Sequence, residues 1–164
     1  MEFDIRFQQP TVIACVGHEG FFAGISSAFA RLFDSLGAPG LSNASKLLTV
    51  FHYDPLAGGA TQRAEAAVEL SEMPGQSHGG FEVRRLPGGA YAVMCHVGPY
   101  SGLPAAWVGF AASVRRSGLQ PLQGPRFEVY LNDPEEIPEE ALLTELHMPV
   151  DARGLEPSGE ARSS

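Results

Sequence analysis

The sequence predicts an α+β fold in which helices sit on one side of an antiparallel sheet and leave its other side open. Three observations predict it. The chain of 164 residues matches itself at an offset of 78, so it is a duplication and not a run of unrelated elements. Each copy offers four short strand-like segments for one amphipathic helix, and one helix per four strands covers one sheet face only. Finally, 44% of the residues are hydrophobic, enough for a sizeable core in a chain of this length.

The elements follow in order. FDIRF (3–7) aligns with FEVRR (81–85), and both read as strands rich in β-branched and aromatic residues. TVIACVGH (11–18) follows as a second strand, and HEGFFAGI (18–25) returns as HVGPYSGL (96–103), with His18, Gly20, Gly24 and Ile25 falling on His96, Gly98, Gly102 and Leu103. Ile25, Phe29, Leu32, Phe33 and Leu36 recur at helical spacing, and Leu103, Trp107, Phe110, Ala111 and Val114 repeat the stripe. Gly37 and Gly118, with Pro39 and Pro121 close behind, are stop signals for both helices. LLTVFHY (47–53) and AEAAVEL (64–70) close the first copy. LTVFHYDP then falls on FEVYLNDP at an offset of 79, Asp54 and Pro55 meeting Asp133 and Pro134, and AEAAVEL falls on TELHMPV at 80. Single-residue loop insertions are cheap, so the drift is consistent with duplication. Each half reads strand, strand, helix, strand, strand. The predicted domain is 1–150, with repeats at about 1–78 and 79–150 and a disordered tail at 151–164 whose one large apolar residue is Leu155.

Composition excludes several classes. With 19 acidic against 11 basic residues, a net charge of -8 opposes direct binding to nucleic acid. The charged N-terminus lacks a signal-peptide core, and no apolar run approaches the ~20 residues of a membrane span, so the reading is a cytoplasmic protein, monomer or homodimer, with no membrane partner. Cys15 and Cys95 lie in apolar strand-like runs and read as two buried thiols of a reducing compartment. No histidine pair has metal-site spacing, so neither a metal nor a cofactor is expected. Nucleophile-elbow, P-loop and dinucleotide motifs are absent from the sequence.

HVGPY (96–100), Trp107 in the next helix, FEVYLNDPEEIPEE (127–140) and TELHMPV (144–150), in that order, resemble the GyrI-like small-molecule-binding domains, also found as effector-binding domains of bacterial multidrug-responsive regulators. The resemblance implies a pseudo-twofold pair of strand-helix-strand-strand modules with a ligand groove between them. It also implies an acidic residue on the last strand, here Glu145, facing aromatics that hold bulky, often cationic or planar compounds. Regulators of the family carry a separate DNA-binding region. No room for one exists before Phe3 or after Val150, and a stand-alone form is the expectation. Some stand-alone members resemble hydrolases that open the cyclopropane of DNA-alkylating natural products, and others are associated with protecting DNA gyrase.

Strand parity assigns faces. In LLTELHMPV (142–150), Thr144, Leu146, Met148 and Val150 form the apolar series, so Glu145 and His147 face the groove. In AEAAVEL the apolar series leaves Glu65 and Glu69 on that same side. By this test Val129 and Leu131 face the core and Tyr130 the groove. Glu69 and Glu128 read as solvated strand glutamates, whereas Glu65 and Glu145 occupy duplicated positions. Tyr91, Tyr100, Tyr130, Phe21 and Phe51 are candidates for the aromatic lining and Trp107 for a floor that is also core. His18 and His96 read as structural, each preceding a turn.

Two functions follow. In the first, the groove captures a hydrophobic, aromatic small molecule, cationic ones included, beside a partly desolvated Glu145. In the second, Glu145 and Glu65 act as carboxylate acid and base, with Tyr130 or Tyr100 donating a proton, in water addition to a strained ring. A gyrase-protecting contact through the acidic exterior (Glu135, Glu136, Glu139 and Glu140) is a third.

Overall fold

The computed structural model describes residues 2–19, 25–41, 44–52, 63–72 and 80–153. Along the chain these form β1 (Asp4–Gln8), β2 (Thr11–Glu19), α1 (Ile25–Leu41), β3 (Ala44–Phe51), β4 (Arg63–Leu70), β5 (Glu82–Leu86), β6 (Gly89–Val97), α2 (Leu103–Arg116), β7 (Gln120–Pro121), β8 (Arg126–Tyr130) and β9 (Leu143–Asp151). The α+β fold and the order of the first repeat are those the duplication predicts, and the second repeat adds the two-residue strand β7 between α2 and β8. Gly37 and Gly118 take φ of 64° and 87°, the left-handed region that glycine enters without penalty. Gly37 breaks the helical geometry inside the span of α1. The chain beyond Val150 differs from expectation, since Asp151 still pairs with Gln120; residues 154–164 lie outside the described residues, as do Gly20, Phe21, Gly24, Asp54 and Pro55.

Among the described residues the sheet runs β1-β6-β9-β8-β3-β4-β2-β5, with β7 beside β9, and every pairing is antiparallel. The two repeats meet at β3 and β8. Each half of the sheet holds three main strands of one repeat plus the first strand of the other, because β1 pairs with β6 and β5 with β2. The copies are therefore interlocked by an exchange of strands.

One face carries the helices. Leu103, Ala106, Trp107, Phe110, Ala111 and Val114 of α2 are buried against Met94, Leu146, Met148 and Val150. The α1 stripe, with Leu32 fully buried, covers Ala14, Ala66 and Val68. The face away from the helices is not simply exposed. The sheet curls until Ile13, Leu48 and Leu86 from one half share a core with Tyr91, Val93, Phe127 and Val129 from the other. Burial of apolar area on both faces drives this curl. Cys15 is buried as expected but Cys95 is exposed. It pairs with Glu145, at a polar end of β6 beyond the reach of this second core.

Candidate functional site

The seam between the repeats sets a carboxylate under the helices. In the β3–β8 register Thr49 stands opposite Glu128, and Leu47 opposite Tyr130. The same register puts Glu128 opposite Leu146 of β9, which packs beneath α2, so Glu128 and Tyr130 lie on the helix face. Glu128 is 1% exposed. Two donors hold it: Trp107 gives its Nε1–H to Oε2 at 2.8 Å, and the Tyr130 hydroxyl gives its hydrogen to Oε1 at 2.8 Å. Thr49 Oγ1 lies 2.6 Å from that hydroxyl. Burial pushes the Glu128 carboxyl above the usual carboxylate range, and the bonds from Trp107 and Tyr130 draw it part of the way back. Burial and the neighbouring Glu128 push the Tyr130 phenol well above its ordinary value, so it stays a protonated donor.

The duplication accounts for the aromatics around this acid. At the offsets of the two repeats Trp107 corresponds to Phe29 and Tyr130 to Phe51. The structure pairs them crosswise: Phe51 meets Trp107 edge to face at 6.0 Å, and Tyr130 meets Phe29 edge to face at 6.3 Å. One half of the pattern is closed, since Phe51 and Trp107 are 3% and 2% exposed. The other half opens as a cleft of about 840 Å³ between the two helices. Its walls are Ile25, Phe29 and Phe33 of α1 with Tyr100 in the turn before α2 and Leu103 at the start of α2, and Tyr130 lies on its floor with Glu128 behind it. Tyr100 and Tyr130 lean together at 5.4 Å. Asp133 and Glu135 stand at the rim.

Local structure fixes these walls. His96 donates Nε2–H to the Pro99 carbonyl at 3.1 Å, Gly98 takes φ of 131°, and its N–H bonds Leu142 O at 2.9 Å. That turn aims Tyr100 over the cleft. A side chain at Gly102 would put its Cβ 3.0 Å from the His96 ring, so the repeated His and Gly form one packed unit. After β8, Asn132 Oδ1 accepts the Leu143 N–H at 3.0 Å and Asp133 Oδ1 accepts the Glu135 N–H at 2.8 Å, which anchors the acidic rim.

The candidates read from parity divide between the two faces. Glu65, Tyr91, Glu145 and His147 lie on the face away from the helices, whereas Tyr130, which the same test joined to them, lies on the helix face. The apolar test fails at β8 because both faces are buried: Val129 and Phe127 belong to the second core, so their apolar character does not mark the helix side. Trp107 and Phe51 are core residues next to Glu128, and Tyr100 and Tyr130 line the cleft. Glu128 was read as a solvated strand glutamate. The signal that could have found it is the repeat itself, which sets Glu128 against Thr49 at the seam.

Glu145 has a different chemistry. Arg6 Nη1 lies 3.1 Å from its Oε2, and His147 Nε2 lies 3.0 Å from its Oε1. Gln8 Nε2 lies 3.0 Å from His147 Nδ1, so a neutral ring accepts from Gln8 and donates to Glu145. Burial pulls the His147 pKa down, in keeping with a neutral ring. The His147 hydrogen bond, with Arg6 assisting against desolvation, holds Glu145 at about 2. Glu65 likewise pairs with Arg84 and with His52, whose Nε2 lies 2.7 Å away. The duplicated glutamates are each neutralised by the first strand of the other repeat.

A curled antiparallel sheet of exchanged repeats, with an aromatic cleft backed by a buried acid, is the form of a small-molecule-binding domain. The family model for the GyrI-like small molecule binding domain matches residues 1–151, and the chain belongs to that family. Solved structures share the fold. A hydrolase from Listeria innocua is 16% identical with a TM-score of 0.65, over 92% of each chain. SAV2435 bound to tetraphenylphosphonium is 14% identical with a TM-score of 0.68, over 96% of this chain and 98% of that one. The EcmrR C-terminal domain is 14% identical with a TM-score of 0.68, over 92% of this chain and 99% of that one. Among the described residues no helix is long and apolar enough to cross a membrane.

Proposed function

We propose that this protein captures bulky, aromatic, cationic small molecules in the cleft between α1 and α2, with Glu128 as the buried counter-charge. The observation that carries this reading is the aromatic cleft of about 840 Å³ whose floor residue, Tyr130, hands its hydrogen to a fully buried carboxylate. A cavity of this size suits a drug-sized ligand. Edge and face contacts from Phe29, Phe33, Tyr100 and Tyr130 favour a delocalised cation over an ammonium, which would give up more hydration on entry. Glu128 provides the charge to offset it, and Asp133 and Glu135, against the single Lys46, leave the charged lining net acidic and favour the approach of cations. The tetraphenylphosphonium held by SAV2435 is a ligand of this description and the natural probe.

Calorimetric titration with tetraphenylphosphonium and with neutral triphenylphosphine oxide tests the reading. In Glu128→Gln the phosphonium should bind about tenfold more weakly, the scale of a lost charge interaction of ~1.4 kcal/mol, with the oxide nearly unaffected. Equal weakening of both ligands would contradict a counter-charge role.

A second reading rests on the raised carboxyl of Glu128 beside a phenol. Such a pair can take a proton from water as it attacks a ring carbon and return one to the phenolate released when the ring bond breaks. Opening of a cyclopropane in a DNA-alkylating compound is the reaction of this class, and a hydrolase shares the fold. A product heavier by one water, formed by wild type and lost in Glu128→Gln, would select this reading over simple capture.

A further inference from the structure

On the opposite face, where β2, β4 and β5 run side by side, a smaller cleft of about 560 Å³ opens over Glu65, Glu82, Arg84 and His52. Beneath it lies Cys15. Its Sγ and one carboxylate oxygen from each of Glu65 and Glu82 fall within 4.8 Å of one another. The Cys15 Sγ is 3.6 Å from Glu65 Oε2, and His52 Nε2 is 2.7 Å from Glu65 Oε1. We propose that Cys15, His52, Glu65 and Glu82 are the ligands of a zinc-class metal ion, and that Arg84 is the cation that fills the site when the metal is absent.

Three observations carry this. First, the position of Arg84 Nη2 shows where positive charge is favoured: it forms an ion pair with Glu65 Oε1 and lies 3.3 Å from His52 Nε2 and 3.6 Å from Cys15 Sγ. One nitrogen thus touches a carboxylate, an imidazole and a thiol, and its Nε is buried with no hydrogen-bond partner among the described residues. Second, the donor set is mixed sulfur, nitrogen and oxygen: the Cys15–Glu65 spacing of 3.6 Å matches that around a tetrahedral ion, whose bonds of about 2.0–2.3 Å leave ligand atoms about 3.3–3.8 Å apart, and the 2.7 Å hydrogen bond from His52 to Glu65 opens when the ion enters between them. Third, the other repeat is an internal control. Arg84 and Glu65 correspond to Arg6 and Glu145, which form the same cross-repeat ion pair, and Glu82 corresponds to Asp4. The positions of Cys15 and His52, however, hold Val93 and Leu131. The ion pair joins the repeats without a donor at either position; Glu145 has an imidazole of its own in His147 and a cross-strand neighbour in Cys95, but Cys95 is exposed, so only the first repeat sets a buried thiol beside the shared glutamate.

The chemistry is consistent with exchange of one cation for another. The Arg84 side chain is 40% exposed and can swing into the cleft, which also gives the ion an entry path. Metal binding takes the His52 ring in its neutral form, and the Cys15 thiol gives its proton to solvent as the metal–sulfur bond forms. Three anionic ligands and a divalent ion leave one negative charge at the mouth of an open cleft, where solvent screens it once the guanidinium has swung away. Histidine spacing in the sequence gives no warning of such a site, because the four donors come from β2, β4, β5 and the residue after β3.

The test is titration of the tag-free, metal-free, reduced chain with cobalt(II), followed by absorption. Wild type should develop the intense near-ultraviolet band of a cobalt–thiolate bond, and zinc should abolish it by competition. Cys15→Ala should lose the band, and Arg84→Ala, relieved of the resident cation, should bind about tenfold more tightly. No thiolate band in wild type in a large excess of cobalt, or a band that survives in Cys15→Ala, would overturn the proposal. Because the site lies on the other face of the sheet, its failure leaves the phosphonium cleft untouched.

Discussion

Tyr130 has one hydroxyl hydrogen and two neighbours able to accept it, Glu128 Oε1 at 2.8 Å and Thr49 Oγ1 at 2.6 Å. While Glu128 is ionised the hydrogen belongs to the carboxylate, and Thr49 donates to the phenol oxygen. In Glu128→Gln the phenol can turn toward Thr49 and accept from the new amide, so that variant should fold with little loss. Tyr130→Phe has no such recourse. It deprives both Thr49 and a carboxylate that is 1% exposed of a partner, and should cost about 1–3 kcal/mol in chemical denaturation. An unchanged midpoint would mean that water replaces the hydroxyl. This triad was not legible in the sequence. Glu128 sits between Phe127 and Val129 on a five-residue strand, where an alternating pattern predicts one solvated face. The pattern misleads because β8 lies at the centre of a sheet buried on both sides. Tyr100 was legible, since HVGPY repeats an earlier stretch and its glycine, at φ of 131°, fixes where the tyrosine goes.

At the scale of elements, the strands and helices were largely legible because their signals are local: a stripe at 3.6 residues, Gly118 just past the end of α2, Gly37 at the break inside α1, and turn residues between alternating runs. The exchange of β1 and β5 was not, since pairing across repeats depends on contacts between residues far apart in the chain. Its chemical signature is the pair of crossed bridges, Arg6 to Glu145 and Arg84 to Glu65. The Arg6 and Glu145 side chains are 27% and 15% exposed, so this bridge lies between the weak surface case and the costly buried one. Arg6→Gln should destabilise the chain by about 2 kcal/mol, and Arg84→Gln by less, because Arg84 is the more exposed arginine. Equal effects from both in urea titrations would show that burial does not set the difference. Glu145 also gives the crossed bridges a pH dependence. Its folded pKa of about 2 lies below the ordinary 4.5, so its stabilisation is complete above about pH 4.5 and is lost as pH falls toward 2. Glu145→Gln should flatten that acid limb, and an unaltered limb would place the proton uptake elsewhere.

For the whole molecule, duplication explains why one chain carries two different sites. The shared features of the repeats, the crossed ion pairs and the crossed aromatic pairs, hold the halves together. Their differences make the sites: Glu128 and Tyr130 where the first repeat has Thr49 and Phe51, and Cys15 and His52 where the second has Val93 and Leu131. Self-comparison of the sequence revealed the symmetry readily, but which departures from it matter became visible only when the register set Thr49 against Glu128. The net charge of -8 acts at this scale, favouring approach of cations and repelling anionic ligands. The claim that the ligand lies between the helices over Glu128 is tested most directly by a crystal structure of the tetraphenylphosphonium complex. The phosphonium should lie between Phe29, Tyr100 and Tyr130 on the helix face of the sheet. A phosphonium seated on the opposite face, against Glu145 or Glu65, would contradict it.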